Sequence, residues 1–148
     1  MAPNWSIYTI PAYYILGFIP HVYGTKIISK ANNGYFDNVN PHGVLTIESY
    51  KRLPKDVFTR YERAEAAHRN IMENMSLFVA AVILGNVAKI EPEILNTIVG
   101  GNLAIRVLYT VLYIRTTKAE YSYLRSLVWM SSVASLMYLV VKAGNALA

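Results

Sequence analysis

The chain has no cysteine, and that absence removes three classes of protein. It rules out a disulfide-stapled domain, a metal centre with thiolate ligands, and an enzyme whose own thiol is the nucleophile. Thiol chemistry would need a thiol brought in by a cofactor. Charge is scarce as well: Asp, Glu, Lys and Arg make up 16% of the residues, against about 25% in an ordinary soluble domain. Acidic residues are the scarcer sign, nine against 14 Lys and Arg, for a formal net charge of +5. That excess does not indicate nucleic-acid binding. The basic residues sit beside long apolar segments, the arrangement of the positive-inside rule, and form no polar face. Histidine is sparse: His21, His42 and His68 are scattered without ligand-like spacing, and no metal site is expected.

What the chain does have is apolar length. Hydrophobic residues make up 54% of its 148 positions, enough for one domain. Four segments read as helices, at about 5–29, 56–89, 92–115 and 119–142, and predict an all-α integral membrane protein, a four-helix bundle in a single domain over 1–148. Met1 to Gly24 contains no Asp, Glu, Lys or Arg. With no basic n-region, and with Tyr13, Tyr14 and Pro20 within the run, it reads as an uncleaved helix and not as a signal peptide. Pro11, Gly17 and Pro20 are candidate bend positions. The second segment is divided into a charged half, Asp56–Asn74, and an apolar half, Met75–Val87, so its first half is expected beyond the membrane surface or against a polar cavity. Pro92 suits the start of the third helix. Ser131, Ala134 and Ser135 in the fourth, and Gly100 and Gly101 in the third, are small residues that let helices approach closely.

Charge also predicts topology. Lys26–Arg69 carries eight Lys and Arg, and the link between helices three and four adds Arg115 and Lys118, whereas the link between two and three holds Lys89, Glu91 and Glu93. The first and third connections are therefore expected in the cytosol and both termini on the opposite side. The first connection is long. Its Asn-, Gly- and Pro-rich part, Asn32–Gly43, reads as a loop, either functional or a solvated linker.

Several polar residues lie where lipid would forbid them. Arg106 stands between Ile105 and Val107. An ionised Arg at mid-membrane costs about 2.5–3.5 kcal/mol on insertion scales, so it must face protein or water. Glu73 is the best partner for it in the sequence. Helical projection places Arg63, Ala66, Asn70, Glu73 and Leu77 on one stripe, with Asn74 at its edge and His68 pointing nearly the other way. The stripe reads either as a binding surface or as an interhelical hydrogen-bond seam. On the third helix Arg106, Tyr109 and Tyr113 share a face, and Arg125 opens the fourth. A cationic, hydroxyl-rich pocket of this kind suits an anionic ligand or a thiolate.

The run Ala67-His68-Arg69-Asn70-Ile71-Met72-Glu73-Asn74-Met75-Ser76-Leu77-Phe78 resembles the second-helix signature of the MAPEG superfamily, membrane-associated proteins in eicosanoid and glutathione metabolism. It is nearest to the microsomal glutathione S-transferases. Arg106-x-x-Tyr109-x-x-x-Tyr113-x-Arg115 resembles the third-helix pattern of the family's leukotriene synthases, and Arg125-Ser126-Leu127 the arginine that opens their fourth helix. The resemblance implies a homotrimer in the endoplasmic reticulum membrane, with glutathione bound between subunits and facing the cytosol. It implies that Asn70, Glu73 and Asn74 hold the tripeptide, that Arg106, Tyr109 and Tyr113 line the pocket, and that Lys26 supplies a basic group from the first helix. Arg125 would stabilise the thiolate as the catalytic residue, and a lipophilic electrophile or hydroperoxide would be the substrate.

Two positions depart from the pattern. Ala66 stands where family transferases carry Arg, which removes a carboxylate contact, and Ser76 stands where proline is common. Arg63, one turn further back, is the residue able to substitute for the missing arginine. The departure at Ala66 leaves two alternatives open: an enzyme that isomerises or cyclises a hydrophobic metabolite without glutathione, using Tyr109, Tyr113, Arg106 or Glu73, and a non-catalytic membrane adaptor.

Overall fold

A computed structural model describes residues 3–148. After a short 3-10 turn at Ser6–Tyr8 come α1 (Thr9–Ala31), α2 (Val44–Tyr50), α3 (Lys55–Val87) and α4 (Pro92–Arg115). A second 3-10 turn, Ala119–Tyr121, leads into α5 (Ser122–Leu147). No strand occurs among the described residues.

The helix ends follow from local chemistry. Asn33 at φ 51° and Gly34 at φ 84° turn the chain out of α1, and Gly34 N–H donates to Ser29 O at 2.8 Å. This is the six-to-one bond of a left-handed cap, so α1 continues two residues past the expected boundary. α3 stops in the same way at Val87, two residues before the expected end. Lys89 takes φ 52°, Ile90 N–H donates to Gly85 O at 2.9 Å and Lys89 N–H to Asn86 O at 3.0 Å. Ile90 then drops into the core, the apolar contact that accompanies this cap. Pro92 occupies the first turn of α4, where its missing N–H costs nothing.

α3 is the central helix and packs against α1, α4 and α5. Tyr13 stacks on Phe78 with ring centroids 4.3 Å apart, inside a core completed by Ile71, Val82, Leu95, Val99, Leu136 and Leu139. α1 approaches α3 closely at two glycines. A Cβ on Gly17 would lie 3.0 Å from Met72 Sδ, and one on Gly24 would lie 3.3 Å from Glu65 Oε1. The small residues singled out in the sequence serve differently. Gly100 makes room for the Trp5 ring and Gly101 faces open space. Ser131 is exposed, and it is Ser132 and Ser135 that meet α4: Asn102, fully buried, donates to Ser132 O (2.9 Å), Ser132 Oγ (3.1 Å) and Ser135 Oγ (3.0 Å).

Among the described residues, three helices are long and apolar enough to cross a membrane: Lys55–Val87, Pro92–Arg115 and the helical stretch Ala119–Leu147. The sequence reading expected four. α1 has the length, at 23 residues, but Tyr13, Tyr14, Pro20, His21 and Tyr23 dilute its apolar content. Its outward face is nonetheless apolar, with Ile15, Ile19 and Val22 exposed, as Val107, Val111, Leu127, Met130 and Val141 are on α4 and α5. An apolar surface of that extent belongs against lipid or protein. The 33 residues of α3 extend about 50 Å at 1.5 Å per residue. A bilayer core is about 30 Å thick, so the charged first turns of α3 project past it. They form a basic end together with the α1–α3 and α4–α5 connections.

The long first connection is folded and not merely solvated. α2 delivers Tyr50, fully buried, against Ile28 and Tyr61, and Tyr50 Oη accepts from Asp37 N–H at 3.0 Å. The Asp37 carboxylate in turn accepts from Val39 N–H, Asn40 N–H and the Thr46 hydroxyl at 3.0, 3.2 and 2.7 Å. The Thr46 hydroxyl, foremost among these donors, holds the Asp37 carboxyl below its ordinary value, and burial pushes the Tyr50 phenol up.

Candidate functional site

α3 and α4 bring most of the predicted residues together. Arg106 is fully buried, as its position in an apolar helix requires. Its Nη1 donates to Asn70 Oδ1 on α3 at 3.1 Å, while Nε and Nη2 are buried with no hydrogen-bond partner among the described residues. The Arg106 guanidinium lies 5.7 Å from the centroid of the Tyr109 ring, Tyr109 meets Tyr113 edge-on at 5.5 Å, and Arg125 from α5 sits over the Tyr113 ring at 4.2 Å. The four side chains form one chain of contacts, from the buried middle of α4 to the start of α5. Cation–π contact of this kind orients a guanidinium while leaving its N–H edge free for an anion.

The stripe on α3 faces α4, but its members divide. Asn70 holds Arg106. Asn74 turns back on its own helix, its Nδ2 donating to Asn70 O at 2.8 Å. Arg63 Nε donates to Ile114 O at 3.0 Å, capping the last turn of α4, and does not reach down to replace the arginine missing at Ala66. Glu73 is not the partner of Arg106 that its place on the stripe predicted. It is exposed and takes part in no ion pair among the described residues. The reason is register: Asn70 faces Arg106, and Glu73, about 60° to one side of Asn70 and about 4.5 Å further along the helix, falls at the exposed edge of the stripe. Lys26 is exposed on α1 and makes no ion pair either.

A second polar cluster escaped the sequence reading. Glu65 on α3 is only 3% exposed. One of its oxygens meets His21 Nδ1 on α1 at 2.8 Å, and the other has no partner. His68 Nδ1–H donates to Gly17 O at 2.8 Å, and the two imidazole rings lie 5.2 Å apart. His68 does point away from the Asn70 stripe, as projection gave, and what it points at is α1. The pairing of His21 with Glu65 spans 44 positions and left no local signal. The close approach at Gly17 and Gly24, two turns apart, was the available hint.

The family profile of MAPEG matches residues 5–145, nearly the whole chain, and the chain belongs to the MAPEG family of membrane-associated proteins in eicosanoid and glutathione metabolism. No curated protein and no solved structure matches it.

Proposed function

We propose that the protein is a glutathione-dependent membrane enzyme of transferase or peroxidase type. It acts as a homotrimer on a lipophilic electrophile or hydroperoxide, with all four long helices in the endoplasmic reticulum membrane and the basic end in the cytosol. The observation that carries this reading is Arg106. A permanently charged guanidinium fully buried in an apolar helix, with two nitrogens lacking acceptors, is a costly arrangement that an anionic ligand relieves. Glutathione, with two carboxylates and a thiol, fits that donor set, and the family supports it.

When bound, glutathione supplies the thiolate nucleophile. The residues of the chain do the rest. Asn70 fixes the Arg106 guanidinium so that its free edge meets a carboxylate. Tyr109 and Tyr113 offer hydroxyl donors and keep Arg125 in place. Arg125 provides the positive charge that favours thiolate over thiol. Glu73, charged and exposed in the α3 stripe, is suited to the peptide's ammonium or to a neighbouring subunit. The lipophilic substrate enters from the bilayer.

Ala66, together with the engagement of Arg63 by Ile114 O, motivates a second reading in which the pocket isomerises or cyclises a hydrophobic metabolite without glutathione. Calorimetry of glutathione binding to the detergent-purified protein separates the two. Binding in the micromolar to low-millimolar range that weakens in Arg125→Ala supports the thiol-dependent enzyme. No binding at several millimolar turns the assignment to the thiol-independent one.

A further inference from the structure

On a different face of α4 from Arg106, Tyr109 and Tyr113, a groove of about 610 Å³ opens between α1, α3 and α4 at the basic end. Its volume is within the range of about 300–1,000 Å³ usual for small-molecule sites. Three guanidiniums line it, Arg60 and Arg63 from α3 and Arg115 from α4, and no carboxylate does. None of the three takes part in an ion pair among the described residues. Arg63 is tied to Ile114 O, and one cation at the end of α4 is favoured by the helix dipole. Neither fact explains three. Arg60 and Arg63, three apart on one helix, repel each other, and an anion among the three relieves that repulsion.

The groove is graded along its length. Its cations are at the level of Arg115, the last residue of α4. Val111, one turn deeper and about 6 Å toward the membrane, joins Ile19 and Pro20 of α1 to make an apolar floor. Ile19 and Val111 remain 55% and 42% exposed. A free phosphate would use the arginines and leave the floor bare. We infer that this groove binds an anionic phospholipid of the leaflet at the basic end, its phosphate among Arg60, Arg63 and Arg115 and its acyl chain along Ile19, Pro20 and Val111. The site stands whether or not the Arg106 pocket binds glutathione.

The test is native mass spectrometry of the delipidated, detergent-solubilised protein, titrated with phosphatidic acid and with phosphatidylcholine of the same acyl chains. Phosphatidic acid is expected to bind more tightly. The double variant Arg60→Gln/Arg115→Gln, which spares the cap made by Arg63, is expected to lose roughly tenfold to thirtyfold in that affinity. Val111→Trp fills the floor without touching a charge and is expected to reduce binding as well, which keeps the test decisive should the double variant fold poorly. Equal binding of the two lipids, or phosphatidic acid binding untouched by both variants, overturns the inference. Complete displacement by millimolar inorganic phosphate or glutathione also overturns it, by assigning the arginines to a soluble anion.

Discussion

Replacing Arg106 and replacing its partner Asn70 should have opposite effects on stability. In Asn70→Ala the buried guanidinium keeps its charge and loses the acceptor on Nη1. A hydrogen bond to a charged group contributes about 1.5–3 kcal/mol. At about 2–4 °C per kcal/mol for a chain of this size, the thermal midpoint in detergent should fall by about 3–12 °C. In Arg106→Met the charge itself is removed, together with two buried nitrogens that have no partner. Removing a buried charge that has no counter-ion takes away its desolvation cost, which outweighs the one hydrogen bond lost with Asn70, so the midpoint should hold or rise. A ligand bound at 100 times its dissociation constant adds about 2.7 kcal/mol to the folded state. Excess glutathione should therefore raise the midpoint of the unsubstituted protein and leave that of Arg106→Met unmoved. Thermal unfolding in detergent with and without glutathione reads all three quantities. If Arg106→Met is as unstable as Asn70→Ala and still responds to glutathione, Arg106 is a structural strut and the reasoning fails.

Three further outcomes follow from the same contacts. His21→Ala removes the hydrogen-bond partner of Glu65 and leaves a carboxyl group 3% exposed with none; a loss of about 1–3 kcal/mol is expected, largely restored when Glu65→Leu is added, as a double-mutant cycle in thermal unfolding would show. Asn102→Ala cuts the α4–α5 clamp at Ser132 and Ser135 and should cost about 1–3 kcal/mol, read as a lower midpoint with unchanged helix content by circular dichroism. The Asp37 carboxyl is held below its ordinary value of 3.8, so the stability it lends the first connection is complete above that value and is lost as pH falls through the lower folded one. Limited proteolysis of Asn32–Pro54 should accelerate over that acid window in the unsubstituted protein, whereas Asp37→Ala should be cleaved rapidly at every pH.

Much of the fold is visible in local pattern because membrane helices announce themselves by apolar length, and Pro92 marks its helix start without help from the rest of the chain. The ends of α1 and α3 were each misplaced by two residues, because a left-handed cap at Asn33 or Lys89 depends on where the next apolar residue can be buried. α2 was missed altogether. Seven residues make no helix signal of their own, and Tyr50 holds the segment only through its burial against Ile28 and Tyr61. Around the candidate site, Arg106, Tyr109 and Tyr113 are grouped by helical periodicity alone. Arg125 joins them through packing of α5 beside α4.

The sequence by itself determined that the protein is helical and built for a membrane, which residues share a face of each helix, and that a charge lies in the middle of the third apolar segment. Those properties depend on composition and on a period of 3.6 residues, and both are written locally. Tertiary structure decided the partnerships: Asn70 and not Glu73 for Arg106, Ile114 O for Arg63, His21 for Glu65. Periodicity fixes a residue's angle on its own helix, but the relative rotation and height of two helices come from packing. A shift of one residue turns a side chain by 100°, enough to exchange one partner for another.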